Sequence, residues 1–98
     1  MPNFIMATFG GTPPASPEEG QAFMSSWAAW SGGLTVVSPP TPVGGAQIVG
    51  GGEAPVLNGY LVVEADSAAA ARDIAAACPH VTALGGSIQV AEIGKRPH

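Results

Sequence analysis

The chain has 98 residues, 46% of them hydrophobic and 10% charged, and seven acidic against three basic side chains leave a formal charge of −4. These residues leave no room for a two-domain enzyme with its own lid. They are too apolar for a disordered chain, and too acidic and Arg-poor for a nucleic-acid reader. Fourteen Gly and ten Pro punctuate the sequence, so regular elements must be short and sharply bounded.

Asn3 to Phe9 is a nearly continuous apolar run between Pro2 and Gly10-Gly11, which predicts a short strand. Thr12-Pro13-Pro14-Ala15 is a loop, because two prolines remove donors and fix φ. Ser16-Pro17-Glu18-Glu19 then combines an N-cap serine, a proline at the first helical position and a glutamate three residues after the cap, a capping box. Phe23, Trp27, Trp30 and Leu34 follow at helical spacing as one apolar stripe. Gly32-Gly33 predicts a left-handed stop, giving a helix over about 17–31.

Leu34 to Ser38 starts a second strand that Pro39-Pro40 and Pro42 break, with Ala46 to Val49 continuing it before Gly50-Gly51-Gly52. Residues 39–58 read as an irregular edge strand and hairpin connection, since proline is tolerated only at edges or bulges. Asn58-Gly59 introduces a strand of high β propensity, Tyr60 to Ala65. Asp66-Ser67 caps a second helix from Ala68 to about Cys78, whose seven alanines give propensity without bulk. Its slim stripe, Ala71, Ile74, Ala75 and Cys78, suits close packing on a sheet. Pro79 ends it, and Gly85-Gly86 turns the chain into a last strand, Ser87 to Ile93, before a polar tail.

Strand, helix, strand, strand, helix, strand is the ferredoxin-like βαββαβ order, an α+β fold with an antiparallel sheet and two helices on one face. Alternation sends Phe4, Met6 and Thr8 to one face and Ile5, Ala7 and Phe9 to the other, and divides Leu61, Val63 and Ala65 from Tyr60 and Val62. Both faces are therefore apolar, yet two short helices cover only one. An uncovered face would expose a patch of several hundred Å², which soluble monomers rarely show. The pattern predicts a homodimer closing sheet to sheet or edge to edge, with a cavity at that interface.

A single cysteine, Cys78, rules out an intramolecular disulfide framework. Met1-Pro2-Asn3-Phe4 has neither the basic start nor the apolar run of a signal peptide, and no apolar run approaches the roughly 20 residues of a membrane span. The expectation is one cytoplasmic domain over 1–98, with 93–98 as its tail and no membrane or nucleic-acid partner; Lys95 and Arg96 are too few for either.

Three blocks carry a family resemblance: the capped SPEE with Trp27 and Trp30 on its helix, the GYLVVEADS strand-to-helix turn, and the CPHVTALGGSIQVAEI finish. Together they resemble the YCII-related (YciI-like, DGPF-domain) proteins over residues 3–93. The resemblance implies a ferredoxin-like fold of the dimeric α/β-barrel superfamily. Most members have no assigned activity; some relatives are small enzymes acting on ring compounds, such as dehydrochlorinases, and others are encoded with sigma factors. Here Glu53-Ala54-Pro55-Val56 stands where the Asp-Gly-Pro-Phe motif belongs, and residues 1–65 contain no His or Asp to match the catalytic pair of the enzymatic branch. No catalytic residue is carried over.

The candidates for chemistry are Glu64, His80 and Tyr60. His80 is a candidate general acid or base, histidine being the side-chain type that titrates near neutrality; the plain alternative beside Pro79 is a ring that caps carbonyls or faces solvent. Glu64 shares with Tyr60 and Val62 the face turned from the helices, where a desolvated carboxylate acts as base or ligand anchor; the plain alternative is an exposed edge or an ion pair with Arg72 or Arg96. Tyr60 suits orienting an aromatic ligand, or fills the dimer interface. Cys78 beside His80 is either half of a nucleophile pair or a buried small hydrophobe. Trp27 reads as packing on the sheet, and Trp30, nearer the helix end, as a pocket wall. Tyr60, Glu64, Trp30 and Met6 are the expected ligand contacts. No cofactor is expected, and two His with one Cys lack zinc-ligand spacing. The glycine runs 44–45 and 50–52 lack the residues of a phosphate loop. Three functions remain: a binder of a small apolar or aromatic molecule, a cofactor-free isomerase, lyase or dehydrochlorinase-like enzyme, and a regulatory interaction module using the glycine-rich loop.

Overall fold

A computed structural model describes residues 1–52 and 55–94. Its elements are β1 (Asn3–Phe9), α1 (Pro17–Gly32), β2 (Thr35–Pro42), β3 (Leu57–Glu64), α2 (Ala68–Ala76), α3 (Pro79–Thr82) and β4 (Ser87–Glu92). The four strands form one sheet in the order β2-β3-β1-β4, with every neighbouring pair antiparallel. This is the expected α+β ferredoxin-like architecture.

The capping signals act as read. Ser16 Oγ accepts from the Glu19 amide at 3.1 Å, and the Glu19 carboxylate accepts from the Ala15 amide at 2.8 Å, so two otherwise unpaired donors are satisfied. A cap of this kind stabilises by about 1 kcal/mol. Ser67 caps α2 in the same way through the Ala70 amide.

Period-2 alternation fixes the core. Phe4, Met6, Leu61 and Val63 are almost wholly buried on one face, with Ala65, Ala71 and Ala75 closing over them. Paired positions share a face, Phe4 opposite Val63 and Met6 opposite Leu61. Each large side chain so buried contributes about 1.5–3 kcal/mol. The alanines let α2 lie close to β1 and β4, as its slim stripe predicts. On the other face Ile5, Ala7, Phe9, Tyr60 and Val62 are half-buried.

Several boundaries differ from the sequence reading. β2 runs through Pro39, Pro40 and Pro42 instead of breaking at them, because it is the sheet's edge and its pairing with β3 is irregular between Val36 and Thr41. A proline there leaves no sheet bond unmade. Ala46 to Val49 form no strand. Asn58-Gly59 lies inside β3, where a Cβ on Gly59 would meet the Thr41 carbonyl at 2.8 Å; the glycine permits close strand approach and is not a turn. Gly33 has φ −89°, so α1 ends without the left-handed cap. α2 stops at Ala76, and Pro79 opens the separate turn α3 with Cys78 as its N-cap. Proline at the first position of a helix costs no hydrogen bond, so Pro79 starts a helical turn and does not itself end α2.

Candidate functional site

None of the 16 residues of α1 is buried. Its aromatic stripe is half-buried instead: Phe23 and Trp27 rings lie 5.8 Å apart, and Trp27 and Trp30 rings 5.2 Å apart. The helix packs on α3 and touches the core through Trp30, and beside it lies a cleft of about 350 Å³, within the range of small-molecule sites. Phe23, Met24 and Trp27 of α1 form one wall, and Leu61 with Pro40 and Pro42 form the other. Leu84, Thr41 and Asn58 close its ends. No charged residue lines it.

Its floor is polar in a specific way. Thr8 and His80, each 6% exposed, are the two buried polar residues among those described, and both line this cleft. The Thr8 hydroxyl donates to the Gly59 carbonyl at 3.2 Å. His80 Nε2 lies 2.9 Å from the Phe9 carbonyl oxygen. A carbonyl only accepts, so Nε2 carries the proton in this contact.

The local sequence builds this contact. Pro79 starts α3 and sets His80 in its first turn, and the Gly86 amide returns to the His80 carbonyl at 2.9 Å. The imidazole fills the space that Gly11 and Gly86 leave open; a Cβ on Gly11 would lie 3.2 Å from His80 Cε1, and one on Gly86 would overlap the ring.

A model of the YCII-related domain matches residues 10–95. The chain belongs to the YCII-related family. No curated protein and no solved structure matches it.

In this YCII-related protein the expected site residues are distributed unevenly. His80 and Tyr60 both border the cleft, although alternation along β3 directs the Tyr60 side chain to the face opposite Leu61. Glu64 does not join them. It pairs with Asn3, at the far end of β1 from Phe9, and six residues of strand separate those ends by about 20 Å. Met6 is sealed in the core and is not among the lining residues. Trp30 turns toward α2, donating its indole N–H to the Ile74 carbonyl at 2.9 Å; Trp27 holds the wall position expected of Trp30.

Cys78 is fully buried. Burial pushes its thiol above the ordinary value, against the backbone N–H groups of His80 and Val81 that lower it. Among the described residues no group of three or more His, Cys, Asp or Glu comes together to hold a metal, and no helix is long and apolar enough to cross a membrane. Glu53, Ala54, Lys95 and Arg96 lie outside the described residues.

Thr8 was not singled out from the sequence, though a signal for it exists. It occupies a core-facing position in register with Phe4 and Met6, and a hydroxyl there needs a partner. Phe23 and Trp27 carried the spacing of ordinary packing residues, and nothing local shows that they border an open cleft.

Proposed function

We propose that this YCII-related protein binds a small apolar or aromatic molecule in the cleft between α1 and the sheet, and that it works as a cytoplasmic homodimer. The observation that carries the reading is the unfilled aromatic wall: Phe23 and Trp27 lie on a helix with no buried residue, facing a cavity the chain leaves open. Apolar surface held this way gains free energy, at about 25 cal/mol per Å², when a ligand covers it. This location is on the helix-bearing face, not at the sheet-to-sheet interface suggested by the residue pattern.

The dimer rests on the opposite face. Ile5, Ala7, Phe9, Tyr60 and Val62 form an apolar centre, with Ser38 and Thr41 on one side and Ser87 and Gln89 on the other. An apolar centre inside a polar rim is the anatomy of a protein interface.

A thermal-shift screen of aromatic against dicarboxylate molecules tests the binding reading. Aromatic compounds should raise the melting temperature of the wild type and of Glu64→Gln, and not of Trp27→Ala. A screen in which no aromatic compound stabilises the wild type overturns it.

A second reading, a cofactor-free isomerase, lyase or dehydrochlorinase-like enzyme, is favoured by His80. Its ring is fixed by Phe9 with one nitrogen left for proton transfer, the arrangement a general base requires. Turnover of a bound ring compound that disappears in His80→Phe would support it.

A further inference from the structure

Resting on the cleft as the binding site, we infer that residues 43–52 are a strap whose apolar tip, Ile48-Val49, closes over the cleft when a ligand lies in it. β2 ends at Pro42 and β3 begins at Leu57, and residues 43–52 between them form no helix or strand. An irregular connection of this length is uncommon inside a compact domain, and lids and binding loops are among its usual uses. Its tip is apolar and uncovered: Ile48 is 60% and Val49 95% exposed.

Both roots of the connection stand in the rim of the cleft. Pro42 before it and Asn58 after it line the cavity, and the Val43 amide donates to the Asn58 carbonyl at 2.9 Å. The chain from Val43 to Ile48 spans up to about 20 Å, ample to cross the mouth of a cavity of about 350 Å³. Gly44-Gly45 and Gly50-Gly51-Gly52 flank the tip. A Cβ at any of these glycines would meet nothing within 4 Å, so close packing does not call for them. Gly45, Gly50 and Gly52 have positive φ, where glycine turns without strain and lets the chain swing.

The landing point is Met24, which lines the cleft yet is 62% exposed. No charged side chain lies in residues 43–52 or in the lining of the cleft. Closure therefore desolvates no ion and removes apolar surface from water on both sides. The tether holds the tip beside its own cleft at an effective concentration on the order of millimolar, which favours that cleft over a second copy's.

A cysteine pair tests the strap without a ligand: Val49→Cys with Met24→Cys, both at exposed positions, under oxidised glutathione. Cys78 is sealed in the core and takes no part. The pair should form a disulfide within one chain, and faster than Val49→Cys with Ile93→Cys, whose second site lies beside Asn3 at the other end of the sheet. Saturating 2-naphthol should speed the first pair further. In calorimetric titration, Ile48→Ser with Val49→Ser should weaken 2-naphthol about tenfold, the scale of burying one aliphatic side chain.

Disulfides formed only between chains, or no faster than in the Ile93 pair, would overturn the strap and leave the cleft standing. Equal 2-naphthol affinities in the wild type and the serine variant would do the same. A wild type that binds no 2-naphthol would bring down the cleft reading, and closure over a ligand with it.

Discussion

His80 and Gly86 occupy one space: the imidazole edge that reaches the Phe9 carbonyl lies where a side chain on Gly86 would begin. Gly86 cannot gain a side chain while the ring stays in place. In Gly86→Ala the added methyl must displace the ring, break its bond to Phe9 and disturb the start of β4. Overpacking of this kind costs about 1–3 kcal/mol, read as a lower midpoint in urea unfolding. An unchanged midpoint would show that the ring is free to move.

The two tryptophans of α1 should separate stability from binding. Trp30 packs against the core and bonds Ile74, so Trp30→Ala should cost about 3–5 kcal/mol, as for large-to-small changes in a core. Trp27 lines the cleft, and Trp27→Ala should lower stability by only about 1 kcal/mol while abolishing aromatic binding. Denaturation curves and ligand titrations on the two variants check this division.

Cys78 sets a limit at alkaline pH. Burial holds its thiol above the ordinary 9.0, so the folded chain keeps that proton more tightly than the unfolded chain does. The associated stability is complete below 9.0 and is lost as pH rises from there toward the folded value. Unfolding midpoints should fall over that interval in the wild type, and less steeply in Cys78→Ala. The native thiol should also resist alkylating reagents until the chain is unfolded.

The open face predicts the assembly. Val62 lies at its centre, paired with Ile5 on β1 and Ser38 on β2. Val62→Lys places a charge in the middle of the proposed sheet-to-sheet contact, where burying it unpaired is costly. Sedimentation velocity should show a dimer for the wild type and a monomer for the variant. A monomeric wild type at high concentration would remove the homodimer.

Legibility in the sequence followed the range of the interaction. Ser16, Pro17 and Glu19 announce the start of α1 because a cap is made within four residues, and the alternation Phe4, Met6, Thr8 announces a core face because side chains on a strand alternate whatever lies above them. The same rule placed Tyr60, Val62 and Glu64 on the face away from the helices. β2 was half legible: its prolines announced an irregular edge strand, but they also read as breaks at Pro39-Pro40 and Pro42, where the strand runs on.

The sequence by itself determined where β1, α1, β3, α2 and β4 lie to within a few residues, which strand side chains face together, and that the βαββαβ order folds as an antiparallel sheet. Tertiary structure alone decided that Trp27 and not Trp30 borders an open cleft, that Glu64 and His80 lie at opposite ends of the sheet, and that His80 meets Phe9. Those two residues are 71 apart in the chain. Caps and alternation are written in neighbouring residues, whereas the partner of a side chain depends on which distant segments the packed core brings together.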